Sequence, residues 1–589
     1  MVGVHSFGAL AAVSLVFPLA SFASPLLPTT LAPQPRQAND FFVVAPVPDG
    51  GVQPRLNIRA LEREPKNQEM WTLFLLALQR LKAMDQKEKT SFYQVAGIHG
   101  QPWVPWDNVP SWSSDPLWGY CAHNGNLFAT WHRPYMMMYE QLLHTHALAI
   151  VDSIPDAATK ERYRTAASKL RLPFWDWAEK PPVGEHVLPS SIADEQISIT
   201  FPNGTVASIE NPLFMYRFNP INPADFPWDG TQPYNQWNHT FRLPNPAESL
   251  DPVDNKAGIL DVLDGNLANA RDGLFKILKS YQSFNRFSNS MSGYDIKIGN
   301  LENVHNTIHS SFRWGHMYFS SVASFDPVFW LHHANVDRHI ALFQALYPET
   351  YVEPLRSVYQ TTFTLDSSSE EPTGGDTPLT PFHRNAAGDF WTSNLVRDTT
   401  KLGYTYPELI GNPSNDTLKA AIKKLYDDSA SAALVARNEP AVNQTVRDYN
   451  VLLGMPTGYT AAIFLGKAGG NPTTWPTEKN YVGSFSTTFN IGMGVGDNTL
   501  NGLVGLSASL AAAHQSGELE SVEEDKVVEY LKKQLNWKVA SFDGAEIPTT
   551  DVPKFSIEVF SQLQTLPSSE SEFPATIGEK VYSEITEGV

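Results

Sequence analysis

A few of the sixteen histidines in this 589-residue chain limit its fold more than any average property does. His305 and His309 stand four apart in LENVHNTIHSSF. On a helix that offset is about 40° and one turn, so both imidazoles leave one face and can grip one metal ion. His332 and His333 follow, side by side, in DPVFWLHHANVDR. Adjacent helical residues point about 100° apart, so only one of this pair can aim at the same ion. A separate set, His99 in AGIHG and His123 and His132 in CAHNGNLFATWHRP, supplies three more imidazoles. His99 reads as a loop residue and His132 as lying at the mouth of a helix.

A lone buried histidine is more often a satisfied core residue than a ligand. Two triplets in one domain, without paired cysteines and with few carboxylates nearby, point instead to metal. All-imidazole sites suit copper, zinc, nickel or iron. Cysteine-rich sites would have indicated zinc or iron–sulfur, and carboxylate-rich helices a di-iron centre. Three neutral imidazoles per ion, twice over, fit copper that cycles between two oxidation states.

At this length two domains are expected. Residues Glu69–Met84 are apolar almost all round and predict a buried helix. A second helix is predicted over Trp131–Val151, with Pro134 in its first turn, where a missing N–H does no harm. Further helical patterns span Asn266–Tyr281, Glu302–Phe312 and Pro327–Leu346, and the Pro/Asn-rich stretch 182–251 reads as long loops. After Pro407 the pattern changes. Ser484–Ile491, Trp537–Phe542 and Lys554–Phe560 alternate as strands do. The expected fold is a mainly α domain, a helical bundle with long loops around the histidines, followed by a β-rich C-terminal domain. The expected boundaries are a signal peptide over 1–23, the helical domain over 24–410, a linker over 411–441, the β-rich domain over 442–566 and an acidic, disordered tail over 567–589.

The formal net charge of −19 argues against nucleic acid and anionic membranes as partners. The apolar run Ala9–Ala20, followed by Ser21 and Ala23, fits a secretory signal cleaved after Ala23 and is too short to span a bilayer. Sequons at Asn203, Asn238, Asn415 and Asn443 agree with secretion. Cys121 is the single cysteine, so no internal disulfide can form.

The stretches AGIHGQPWVPW, CAHNGNLFATWHRPYMMMYEQ, LPFWDW, ENVHNTIH and FDPVFWLHHANVDR together resemble the type-3 copper proteins: tyrosinases, catechol oxidases and molluscan hemocyanins. The long fungal tyrosinases are most similar, strongly over about residues 50–410 and more weakly beyond. The resemblance implies two copper ions with O₂ as co-substrate. One ion would be held by His99, His123 and His132, the other by His305, His309 and His333, with His332 orienting the site from behind. It also implies a thioether joining Cys121 to His123, and a water held by Glu302 and Asn306 that takes the phenolic proton. Phe329 and Trp330, beside the histidine pair, read as core. Tyr404-Thr405-Tyr406 resembles the family's closing motif, with Arg59 as the expected cation–π partner.

The implied activity is ortho-hydroxylation of monophenols and oxidation of o-diphenols to o-quinones by a secreted enzyme. The enzyme would be made latent and activated by a protease, with a C-terminal aromatic, Tyr459 or Phe464, filling the site. A catechol oxidase or o-aminophenol oxidase is the nearest alternative. An oxygen carrier is less favoured, because the chain shows one unit and no repeat, and a zinc hydrolase is the remaining rival. The sequence leaves the oligomeric state open.

Overall fold

In the computed structural model, the described residues are 41–227, 232–291, 297–356, 360–427, 445–487, 499–541, 543–567, 569 and 571–587. They belong to one compact unit, Ala38–Val589. The expected signal segment and Asn443 lie outside the described residues.

Six helices frame the first half: α1 (Gln68–Lys82), α2 (Phe92–Gly97), α3 (Phe128–Asp152), α4 (Lys256–Ser280), α5 (Leu301–Ser311) and α6 (Val328–Leu346). α1 packs along α3, α3 against α6, and α4 against α5. The nearly continuous apolar sequence of α1 is explained by its burial, since ten of its residues are enclosed.

α3 begins three residues earlier than the pattern predicts, which places Pro134 inside the helix and not in its first turn. Its ring suits helical φ but supplies no N–H to the carbonyl four residues back, so one hydrogen bond of this buried helix is missing there. α4 starts ten residues before the expected Asn266. Asn255 caps it by accepting from Gly258 N, and Ile259, Val262, Leu263 and Asn266 continue the buried stripe. Gly258 and Gly265 had disguised that stripe as loop.

The expected linker from residue 411 opens with a helix that belongs to the first domain. α7 (Asn415–Tyr426) buries Leu418, Ile422 and Tyr426, packs on α6, and sends the Tyr426 hydroxyl to Asp176 at 2.8 Å. The rest of that linker, 428–441, lies outside the described residues.

The C-terminal module pairs two four-stranded antiparallel sheets. The strands are β1 (Thr445–Met455), β2 (Tyr459–Leu465), β3 (Tyr481–Ser486), β4 (Leu500–Gly505), β5 (Leu535–Ser541), β6 (Glu546–Ile547), β7 (Ser556–Thr565) and β8 (Ala575–Val581). The sheet orders are β3-β2-β5-β6 and β4-β1-β7-β8. Val451, Leu453, Ile463, Val504, Val539 and Val559 share their core. β8 corrects the expected disordered tail: residues 575–581 pair with β7 and continue into the buried Tyr582. All seven β8 side chains are exposed, so no apolar alternation marked the strand, which is held by backbone pairing.

The module docks on α4 and α5. Tyr481 donates to Asn266 Oδ1 at 2.6 Å, Asn269 Nδ2 to the Ser484 carbonyl at 3.0 Å, and Arg313 to the Pro472 carbonyl. Lys276 of α4 reaches Asp448 of β1 at 3.1 Å and Asp272 at 2.6 Å, with its side chain almost fully buried.

Candidate metal centre

The two histidine sets meet between α3, α5 and α6. His99 follows α2, and its Nδ1 lies 2.7 Å from the Ser320 carbonyl. His132 on α3 turns Nδ1 to the Phe128 carbonyl at 2.8 Å, and His309 on α5 turns Nδ1 to the Met317 carbonyl at 2.6 Å. A carbonyl only accepts, so each Nδ1 carries the proton and each Nε2 is left with a lone pair. His305 does the same through Asn306 Oδ1 at 2.9 Å. These partners fix tautomer and ring direction as they do around metal ligands.

The free nitrogens converge. His305, His309, His332 and His333 offer ligand atoms within 4.8 Å of one another, as do His99, Cys121 and His123, and again His99, His132 and His333. His333 therefore stands between the two sets, its ring stacked on His132 at 4.1 Å and its Nε2 3.3 Å from His305 Nε2. Bare imidazole nitrogens that close repel unless a proton or cation lies between them. The ring nitrogens His99 Nε2 and His333 Nδ1 are buried without a hydrogen-bond partner. Burial, reinforced in most of these rings by neighbouring imidazoles, holds every one below its ordinary pKa; His123 and His132 fall to about 3 and His309 to about 4. The rings are neutral at physiological pH, as ligands must be. The donor set thus fits two soft-to-borderline metal ions held by nitrogen, copper included.

His332 also lies in the cluster, stacked on His305 at 5.0 Å and edge-on to His309 at 4.8 Å. Neither of its ring nitrogens has a hydrogen-bond partner, and its nitrogens lie among those that could hold an ion. Cys121 Sγ is 3.6 Å from His123 Nε2 and 3.3 Å from His132 Nε2.

Glu302 is enclosed at the start of α5. Its carboxylate accepts from Asn124 N at 2.7 Å and Ser290 N at 2.9 Å, so it ties α5 to the loop carrying His123. Burial pushes it up to about 7 against those two hydrogen bonds. Asn306 lies one turn on, with Nδ2 unpartnered. Phe329 packs on His99 at 4.8 Å and His333 at 4.2 Å, and Trp330 stacks on Tyr139 at 3.8 Å; both are core, as expected.

Arg55, not Arg59, meets the Tyr-x-Tyr motif. Its guanidinium lies 3.6 Å from the centre of the Tyr404 ring and bonds Glu140 at 2.9 Å and Asp337 at 3.1 Å. Tyr404 and Tyr406 both donate to Asp337 Oδ2, and Arg133 reaches Oδ1 at 2.6 Å. Arg59 is taken up by Glu185 on the periphery. Arg133 follows His132 and Asp337 lies one turn after His333, so this network braces the two helices that carry those rings. Sequence reading missed it because nothing in Asp337 itself signals a shared acceptor.

Neither expected C-terminal aromatic reaches the histidines. Phe464 is buried between Trp475 and Tyr481 in a cluster of its own, and Tyr459 packs at the edge of the module core. Both sit on β2, an inner strand whose side chains serve the module's own packing. Among the described residues, Ser484, Phe485 and Leu503 line a small cavity with Asn303, Val304 and Thr307 of α5.

The common central domain of tyrosinase matches residues 89–346, and the tyrosinase C-terminal domain matches residues 453–559. A tyrosinase of Neurospora crassa is 30% identical over 92% of this chain and 96% of its own length. A tyrosinase of Podospora anserina is 36% identical over 67% of this chain and 70% of its own. A structure of latent and active mushroom tyrosinase is 27% identical, with a TM-score of 0.75, covering 92% of this chain and 99% of that one. A pro-tyrosinase structure from Aspergillus oryzae, 21% identical with a TM-score of 0.70 over 92% and 97% of the two chains, shares the fold.

Proposed function

Because the chain belongs to the tyrosinase family, we propose that it oxidises phenols with O₂ at a pair of copper ions and is made as a latent enzyme. The observation that carries this reading is the convergence of buried, neutral imidazoles, four of which (His99, His132, His305 and His309) have Nδ1 already anchored by an acceptor. His99, His123 and His132 would hold one ion, and His305, His309 and His333 the other. When bound, the copper pair supplies the redox chemistry that passes electrons from the phenol to O₂. The substrate reading covers hydroxylation of monophenols and oxidation of o-diphenols to o-quinones.

The chain's own residues handle the proton. A phenol must lose its hydroxyl proton to bind a metal, and a positioned base accelerates that loss. Glu302 and Asn306, one turn apart on α5, would hold the water that accepts it. Burial of Glu302 supports the role, since a carboxyl held near 7 takes and returns a proton near neutrality. Cys121, buried and beside His123, would form the thioether with loss of two hydrogens, taken up by O₂. Peptide mapping tests this: a linked Cys121–His123 pair is expected, and a freely alkylated Cys121 in active enzyme would refute it.

Latency is supported by the closure of the site, where none of the six histidines is more than 6% exposed and the C-terminal module lies on α4 and α5. Activation would come from a protease. Because Asn415–Tyr426 is packed as α7, a cut there would damage the first domain, which directs cleavage to beyond Asp427. Secretion is supported by the leader pattern and by exposed asparagines at 203 and 238. In the described residues no helix is long and apolar enough to cross a membrane. Copper analysis with a panel of a monophenol, an o-diphenol and an o-aminophenol tests the function. Two coppers and turnover of the first two are expected; activity on the aminophenol alone would favour the narrower oxidase.

A further inference from the structure

His316 is a buried histidine that stands apart from the rings converging on the metal centre. Its ring lies among Tyr234 at 5.2 Å, Trp237 at 5.7 Å and Phe218 at 6.1 Å. Burial, with a smaller push from His239, holds it down to about 3, so the ring is neutral. Its Nδ1 accepts from Phe241 N at 3.1 Å, which leaves the ring proton on Nε2. Its own backbone N donates to the Phe241 carbonyl at 3.0 Å. One residue thus pairs with Phe241 twice, through backbone and through side chain. An apolar ring of similar shape would fill the same space but leave the Phe241 N–H buried without an acceptor.

The pairing is tight and its base is firm. A Cβ at Gly315 would come within 2.2 Å of the Phe241 carbonyl oxygen, so this position needs glycine. Arg242, the residue after Phe241, sets its guanidinium on Asp326 at 2.8 and 2.7 Å. On the other side, the Tyr234 hydroxyl donates to the Trp314 carbonyl at 2.9 Å.

What His316 fixes is the backbone that follows it. The Met317 carbonyl takes Nδ1 of His309 at 2.6 Å, and the Ser320 carbonyl takes Nδ1 of His99 at 2.7 Å. Those two rings belong to different ligand sets. The far end of the segment is closed by Gln101 N, which donates to the Ser321 carbonyl at 2.7 Å. His132 and His305 find their Nδ1 partners elsewhere, at Phe128 and Asn306. Four consecutive residues therefore set the tautomer and direction of one ring in each set. A carbonyl can orient a ring only as well as its own place is held.

We propose that His316 is a positioning residue: by pinning its loop to Phe241 it holds the two carbonyls that orient His99 and His309, and so tunes both metal positions at once. This role rests on the two-copper reading above.

Two substitutions separate accepting from filling space. His316→Phe keeps a ring in the aromatic nest but cannot accept from Phe241 N. His316→Asn leaves the nest underfilled but offers Oδ1 where Nδ1 stood. In the copper-free chain, deuterium exchange at the imidazole C2 carbon is read ring by ring from peptide masses. His316→Phe should speed exchange several-fold at His99 and His309 and leave His132 and His305 at the parent's rates. His316→Asn should stay near the parent at all four. Titration of the full chain with copper(I) against a competing chelator gives the second measure. There His316→Phe should weaken both positions about tenfold, the lower end of the roughly 10–100-fold that outer partners of metal ligands contribute. Equal acceleration at all four rings, none at His99 and His309, a larger effect in His316→Asn than in His316→Phe, or weakening at one metal position alone overturns the proposal. If His316→Phe does not fold, Tyr234→Phe removes one hydrogen bond from the same loop and should shift His99 and His309 in the same direction; rates unchanged there overturn it too. A parent chain that binds no copper would defeat the two-copper reading, while the exchange rates would still decide what His316 does.

Discussion

His132 and His305 hold their rings by different means. His132 is anchored to its own helix backbone, whereas His305 depends on the side chain of Asn306. On the proposed ligand assignment, loss of either imidazole would leave one ion with two protein ligands. His132→Ala and His305→Ala are therefore expected to bind fewer than two coppers and to lose oxidase activity, by metal analysis and O₂ consumption. Near-full turnover in either would refute the ligand assignment. Glu302 invites a pH test in the copper-free chain. Its folded pKa, about 7, is above its ordinary value near 4.5, so the folded state binds the proton more tightly. The burial cost is absent below about pH 4.5, grows to pH 7 and then stays, reaching about 3 kcal/mol at most. Glu302→Gln removes that dependence. The difference in Tm between variant and parent should move in the variant's favour from pH 5 to pH 8, and a constant difference would mean the carboxyl is not held up. On the loaded enzyme the same substitution should slow monophenol hydroxylation more than diphenol oxidation, since diphenols are more acidic and need a positioned base less.

α3 and α6 owe their alignment to a buried charge network and not to apolar packing alone. Asp337 accepts from Arg55, Arg133, Tyr404 and Tyr406 with no solvent nearby. Removing one partner of such a network leaves charge buried and uncompensated, at a cost of about 3–5 kcal/mol. Arg55→Ala should cost that much in denaturant titration, while Arg59→Ala, whose ion pair with Glu185 is partly exposed, should cost about 1 kcal/mol or less. Equal losses would deny Arg55 its bracing role. The contrast also shows where sequence was informative. The helices of the centre were legible because their apolar and histidine spacing repeats with the helical period, and His305 and His309 needed nothing more. Arg55 and Arg59 were indistinguishable, since both stand near the start of the domain and only tertiary packing decides which one turns inward. The strand over 575–581 was hidden for the same reason, as its side chains carry no burial pattern.

Across the whole molecule, the polar contacts between the C-terminal module and α4 include Lys276, held between Asp272 and Asp448. Burial alone would raise the Asp448 carboxyl, but Lys276 and Lys279 hold it below the ordinary range. The Asp448 contribution is thus present above the ordinary carboxylate pKa and is lost as pH falls through its lower folded value. Asp448→Asn should weaken docking at neutral pH and raise diphenol oxidation by the uncut chain several-fold; an uncut variant as silent as the parent would show that docking does not depend on this pair. The same closure has a consequence for metal supply. Imidazoles with 6% exposure or less are screened from ions as well as from phenols. Copper added to the folded, copper-free chain should enter slowly, at a rate that does not increase with copper concentration once opening of the module is limiting. In Asp448→Asn that uptake should quicken, so that one motion governs both when the enzyme is charged with metal and when it meets its substrate.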